Sequence, residues 1–381
     1  MLNKLKKLDL GIITLLVVFM VFSTLIVRSA IAPDPKFQGY DTRTIIFYVI
    51  GFIVLFAVSI FDYRILLRKH WYLYGLGLLS LLLLYPFGSE INGAKSWYAF
   101  PGGLQFQPAE MVKIVLILTM AHMLSKRDGD PLRFRSDLIP TAFIALVPFL
   151  IVLIQPDLGN AIIYLIILVG MLWIGNTKYT HVLIGLTTIV GGLILVVVMF
   201  TTFNTQIHDY LESHSKLHWY QRINTFIDPA QASDDDKHQS SYALIAVGSG
   251  GLLGDGYMNG QLKNNKFVPY PYSDSIFVVI GEEFGFIGAS ILLLLYFLLI
   301  YRMILIALQC YDRRGSYIII GIVSMFVFQI FENVGMMIGL MPITGITLPF
   351  ISYGGTSLLL NMFSIGLVLS IKIYQEKYEL E

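Results

Sequence analysis

From Leu10 to Val27 the chain runs without a charged side chain, and Arg28 ends the run. At about 1.5 Å of rise per residue, a helix of this length nearly covers the ~30 Å hydrocarbon layer of a bilayer. Comparable apolar windows recur near 43–61, 71–87, 108–125, 138–155, 157–175, 180–201, 275–309, 315–340 and 350–373. Only Gln155-Pro156-Asp157 separates the fifth window from the sixth. In lipid, backbone N–H and C=O groups must be satisfied within the protein, so such runs fold as helices. The expected fold is all-α and polytopic, with about ten transmembrane helices in a single integral membrane domain over residues 1–381.

Composition agrees. Hydrophobic residues make up 56% of the chain and charged residues 13%, where a soluble domain carries about a quarter charged. The 26 Lys and Arg against 25 Asp and Glu give a net charge of +1, no basis for binding nucleic acid. Cys310 is the single cysteine, which excludes an intrachain disulfide or a multi-cysteine metal site. Lys4, Lys6 and Lys7 could open a secretory signal, with Ala30-Ile31-Ala32 as its cleavage site. The apolar run is longer than an h-region of about 7–15 residues and Pro33 follows, so it reads as the first membrane helix.

Short cytoplasmic loops carry the excess of Lys and Arg, which orients the bundle. With the N-terminus inside, inner loops hold Arg64, Arg68 and Lys69, then Lys126, Arg127, Arg133 and Arg135, then Lys178, then Arg313 and Arg314. The short outer loops hold Lys36 and Lys95. Both termini are therefore expected in the cytoplasm. Residues 202–274 become a large extracytoplasmic loop between the seventh and eighth helices. Within it Ile207, Tyr210, Leu211, His214, Leu217, Tyr220, Ile223 and Ile227 recur at helical spacing, as an amphipathic helix on the membrane surface would require. The remainder reads as Asp-, Gly- and Asn-rich loop.

Ionisable residues within spans are costly and mark functional candidates. Glu110 falls in the first turn of the fourth helix, and Lys113 shares its face. They read either as a neutralised helix-start carboxylate or, preferably, as an ion pair lining an outward-facing cavity. Asp157 and Asp274 each precede a helix on the outer side, as caps or as functional carboxylates. Glu282 and Glu283 lie about 12 Å deeper than Asp274, and one of them should pair structurally or stay protonated. Glu332-Asn333 needs interior partners. Met341 to Gly355 is uncharged and rich in Pro, Gly, Thr and Ser, which suits a re-entrant loop packed in protein. Of the outer cations Lys95, Lys216, Arg222, Lys263 and Lys266, Arg222 beside the surface helix suits a phosphate-bearing head group, while Lys263 and Lys266 read as solvent-facing. His214 with His218, and Asp234-Asp235-Asp236 with His238, lack a third ligand at familiar spacing, so no metal site is assigned.

Several blocks together resemble the SEDS family (shape, elongation, division and sporulation). They are Asn92-Gly93-Ala94-Lys95-Ser96-Trp97, Gln107-Pro108-Ala109-Glu110 with Lys113, Gln155-Pro156-Asp157-Leu158-Gly159 and Gly248-Ser249-Gly250-Gly251-Leu252. Asp274-Ser275-Ile276-Phe277 with Gly281-Glu282-Glu283 follows, and then Gly339 to Ser357, including Ser352-Tyr353-Gly354-Gly355. The Gln155-Pro156-Asp157-Leu158 block is closer to RodA, the elongation branch, than to FtsW, the division branch, and sporulation members share much of it. Thr347 stands where the family usually has Pro, and Glu332 where a less polar residue is common.

The resemblance implies a peptidoglycan glycosyltransferase of the bacterial cytoplasmic membrane, polymerising lipid II into glycan strands on the outer face. It implies undecaprenyl pyrophosphate as leaving group, a class B penicillin-binding protein as transpeptidase partner, and the elongation complex as setting. Asp274 takes the place of the essential aspartate, and Glu110 and Lys113 that of the Glu–Lys pair. Asp157, Lys95, Arg222, Glu282, Glu283, Ser352, Gly354 and Gly355 are the expected supporting residues. Inverting an anomeric carbon asks for a general base, here Asp274, and for positive charge at the departing pyrophosphate, here Lys113 and Arg222. A divalent cation (Mg or Mn) could share that role, although no dedicated cage is visible. The competing readings are a lipid II flippase, disfavoured because the charges gather at one face and no repeat symmetry is seen, and a structural scaffold.

Overall fold

The computed structural model describes residues 7–91, 94–100, 104–127, 129–155, 157–213 and 234–375. Helices stand at all ten apolar windows. In chain order the principal helices are α1 (Leu10–Ile31), α2 (Tyr40–Ile60), α3 (His70–Leu82), α4 (Pro108–Ser125), α5 (Ile139–Ile154), α6 (Leu158–Ile174), α7 (Tyr179–Thr202), α8 (Asn204–Ser213), α9 (Asp234–Ser249), α10 (Ile276–Leu308), α11 (Arg313–Met337) and α12 (Gly355–Ile373). Eight segments among the described residues are long and apolar enough to cross a membrane, and α6 is a shorter apolar helix.

Burial sorts these helices. In α4 the most apolar stretch is 78% buried, and in α11 and α12 it is 67%. In α1, α2, α5 and α10 the share is 28–33%, and their outer faces expose residues such as Val21, Ile53, Phe143 and Phe297. A helix that is apolar all round and buried belongs at the centre of a bundle, whereas exposed Leu, Ile and Phe suit a lipid-facing surface. Pro108 opens α4 at a position where its missing N–H costs nothing.

The structure departs from the expected outline at two places, one a sheet and the other a helix in the outer loop. Residues between α3 and α4 form a three-stranded antiparallel sheet of β1 (Ser89–Ile91), β2 (Ala94–Phe100) and β3 (Leu104–Phe106), with Tyr98 opposite Phe106. Helix α9 occupies part of what the sequence presents as loop, burying Ala243 and Ala246 against its neighbours. Of the proposed surface helix, α8 includes Ile207, Tyr210 and Leu211, and positions 214–227 lie outside the described residues.

Helix α10 is broken at Gly285, whose φ of 60° and ψ of −158° are open to glycine and strained for other residues. The break leaves carbonyls that the chain after α9 bonds: Asp255 N–H donates to Glu282 O (2.9 Å) and Gly256 N–H to Glu283 O (3.0 Å). In return Phe286 N–H donates to Gly251 O (2.9 Å). A glycine-rich turn is thereby stitched to the broken helix, which satisfies the kink.

Candidate active site

Asp274 sits one residue ahead of the Ser275 cap position of α10 and does not cap the helix. Its Oδ1 accepts the N–H of Ser275 (3.1 Å), and Ser275 makes no side-chain cap. The backbone of Asp274 is held from α11, where Asn333 Nδ2 donates to Asp274 O (2.8 Å) and to Ile346 O (2.7 Å). A Cβ placed on Gly345 would lie 3.9 Å from Asp274 Oδ2, so this carboxylate faces the 341–354 loop. Burial pushes the Asp274 carboxyl up to about 6, partly opposed by the Ser275 N–H bond. Beside it, Tyr353 N–H donates to Tyr272 O (2.9 Å), and Tyr40 stacks on Tyr353 at 4.1 Å between ring centroids. Tyr272 meets Tyr40 edge-on at 5.3 Å and also packs on Phe37. An aromatic wall therefore stands next to the carboxylate.

The uncharged 341–354 segment is irregular backbone packed among helices, as irregular backbone at membrane depth must be. Its carbonyls are met by side chains from four helices. Ser23 donates to Ile351 O (2.7 Å), Tyr48 to Phe350 O, Tyr296 to Pro349 O and Asn333 to Ile346 O. Ser352 closes the segment internally: its Oγ accepts Leu348 N–H (2.8 Å). Gly354 is extended backbone, and Gly355 lets Phe47 approach where a Cβ would lie 2.7 Å from the ring. Ser352, Gly354 and Gly355 thus shape the loop that Asp274 faces.

Glu110 and Lys113 form an ion pair at 2.7 Å, but both are buried, Lys113 at 1% exposure. The expected open cavity around Lys113 is absent among the described residues, and its Nζ makes no hydrogen bond beyond the ion pair. Asp157 caps α6, accepting Asn160 N–H (3.2 Å) and Asn160 Nδ2 (2.9 Å). It also accepts Gln107 Nε2 (2.7 Å), which ties the start of α6 to the start of α4. Glu332 lies close enough to Asp157 and Lys113 to interact with both, and accepts the Thr344 hydroxyl (2.7 Å). A buried network thus underlies the loop: Glu332 and Asn333 find the interior partners that their place in a span requires, and Gln107 and Thr344 join them as members not expected at the site.

Glu282 and Glu283 are structural. Glu282 accepts the N–H groups of Leu262 (2.6 Å) and Lys263 (3.2 Å), at the start of a short helical turn. Glu283 pairs with Lys263 at 2.5 Å, both side chains fully buried, and Ser29 of α1 bonds to both partners. Lys263 therefore corrects the solvent-facing reading: the pair staples α1, α10 and the intervening chain together. Lys266 is exposed and reaches Asp34 at 3.5 Å. Lys95 is exposed on β2, and Arg222 lies outside the described residues. No group of three potential metal ligands gathers at Asp274 among the described residues; the one such group is His208, Asp209 and Glu212, largely exposed on α8.

The comparisons agree with this architecture. A family model for cell cycle proteins of the FtsW/RodA/SpoVE type matches residues 4–377. Stage V sporulation protein E of Bacillus subtilis is 34% identical over 379 residues, covering 96% of both chains. Peptidoglycan glycosyltransferase MrdB of Escherichia coli is 30% identical over 369 residues, covering 97% of this chain and 94% of its own. Among solved structures, a chain of a peptidoglycan synthase complex superposes with a TM-score of 0.77 at 29% identity, covering 97% of this chain and 99% of that one. The rod shape determining protein RodA of Thermus thermophilus gives 0.69 at 28% identity, covering 97% and 98%. The chain is a multi-pass membrane protein that belongs to the FtsW/RodA/SpoVE family.

Proposed function

We propose that this protein is an inverting peptidoglycan glycosyltransferase that polymerises lipid II, with Asp274 as its general base on the extracytoplasmic face. The observation that carries the reading is the Asp274 carboxylate, released from helix capping and facing a loop that four helices hold in place. In that role Asp274 takes the proton from the acceptor sugar hydroxyl as its oxygen attacks the donor anomeric carbon. The lipid pyrophosphate leaves from the opposite side. A base elevated to about 6 is better matched to this transfer near neutral pH than an ordinary aspartate. Glu110 and Lys113 act at one remove, as a buried ion pair within α4 whose Lys113 charge is felt by Glu332 of α11. Positive charge for the pyrophosphate is assigned to Arg222.

The role in elongation, with a class B penicillin-binding protein as partner, is supported by the Gln155-Pro156-Asp157-Leu158 block and by the likeness to a chain of a complex that coordinates polymerisation and crosslinking. The test is purified protein with fluorescent lipid II. Glycan ladders from the wild type and none from Asp274→Asn support the assignment, whereas equal ladders overturn it. Depletion in the host then separates the roles: rounding indicates elongation, filamentation division, and a cortex defect sporulation.

A further inference from the structure

Glu332 and Asn333, neighbours near the C-terminal end of α11, hold the 341–354 loop on either side of one glycine. Glu332 Oε1 accepts the Thr344 hydroxyl (2.7 Å), and Asn333 Nδ2 donates to Ile346 O (2.7 Å). Between them Gly345 adopts a φ of 78°, open to glycine, and faces Asp274 Oδ2. Helix α6 meets the same two flanking residues: a Cβ on Gly159 would lie 2.6 Å from Ile346 Cγ1 and 3.3 Å from Thr344 Cβ. The turn that faces the carboxylate is therefore seated between α11 and α6. Met336 Sδ also lies 3.2 Å from the Thr344 hydroxyl, but that hydroxyl has one hydrogen and a thioether is the weaker acceptor. Glu332 is fully buried within a span, a costly place for a carboxylate. Lys113 and Asp157 act on it through space, and Thr344 is the hydrogen-bond donor it meets among the described residues.

We propose that Glu332 is a positioning residue for the transfer reaction: through Thr344 it sets where Gly345 stands against the Asp274 carboxylate. The inference rests on Asp274 as general base and adds what fixes the surface that this base faces. Glu332 acts through the loop, so its effect is geometric. A displacement of about 1 Å near a reacting group can cost ~10²-fold in rate. Loss of the link should therefore fall on turnover rather than on lipid II binding.

The test uses purified full-length protein and fluorescent lipid II, with kcat and KM measured alongside amide hydrogen exchange across 341–354. Glu332→Leu and Thr344→Val should each lower kcat about tenfold with KM within about twofold, and exchange in the loop should rise in both. Glu332→Gln keeps an acceptor oxygen for the Thr344 hydroxyl and should recover most of the loss. The Glu332→Leu/Thr344→Val double variant should lose no more than either single one, since one hydrogen bond is removed in all three. Thr344→Val keeps the size of the side chain and carries the same comparison if Glu332→Leu does not fold. Wild-type kcat in Thr344→Val, a Glu332→Gln variant as slow as Glu332→Leu, or losses that multiply in the double variant would overturn the proposal. Asp274→Asn, run in parallel, separates the two readings. It stays inactive if only the role of Glu332 fails, and it polymerises as wild type if the base assignment fails and takes this role with it.

Discussion

Asn333 joins the catalytic candidate to the loop opposite it through a single amide group, 2.8 Å from the carbonyl of Asp274 and 2.7 Å from that of Ile346. Asn333→Leu leaves two carbonyls without a donor, at about 1–3 kcal/mol each. The expected result is a lowered thermal midpoint and a fall in kcat larger than any change in KM. A variant with unchanged kcat would mean that the loop holds Asp274 without Asn333.

Asp274 should couple stability and activity in opposite directions. Its folded value of about 6 lies above the ordinary ~4 of an unfolded aspartate, so the fold favours the protonated form. Its stabilising contribution is full below about pH 4 and is lost as pH rises through 6. Asp274→Asn should therefore unfold at a higher temperature than wild type at pH 8, with the gap closing towards pH 4.

Activity should follow the deprotonated form. The polymerisation rate of the wild type is expected to fall as pH drops below about 6. Asp274→Asn should lose about 10²-fold or more at every pH while still binding lipid II. A wild-type profile flat between pH 5 and 8 would count against Asp274 as the base.

Breaking the Lys263–Glu283 pair from one side strands a buried charge, at about 3–5 kcal/mol. Lys263→Met alone should sharply reduce folded yield in size-exclusion profiles. Lys263→Met with Glu283→Gln removes both charges and should recover much of that yield. Equal yields for the single and double variants would show that the pair is not coupled.

Gly285→Ala places a Cβ at φ 60°, 2.6 Å from Gly254 N. Strain and collision together should cost more than the ~1 kcal/mol of an ordinary helix glycine change, read as a lowered thermal midpoint.

The apolar windows determined the helices, because lipid leaves an uncharged run no other way to satisfy its backbone. Asp274 was also legible, standing between a polar turn and an apolar helix in a recognisable block. The short sheet was not, since two of its three strands are only three residues long and carry almost no periodic signal. Helix α9 was hidden by its Asp-rich start, and α9 gains its partners only by packing.

The burial and long-range partners of Lys263 and Lys113 were decided by tertiary structure. Lys263 looks like a loop cation in sequence, yet it is buried against Glu283 and Ser29, residues 20 and 234 positions away. Lys113 and Glu110 share a helix face in either reading, and only the packing of neighbouring helices decides whether that face opens to water or closes. Sequence specifies which side chains need partners. Partners distant along the chain are supplied by the fold, because burial makes an unpaired charge too costly to keep.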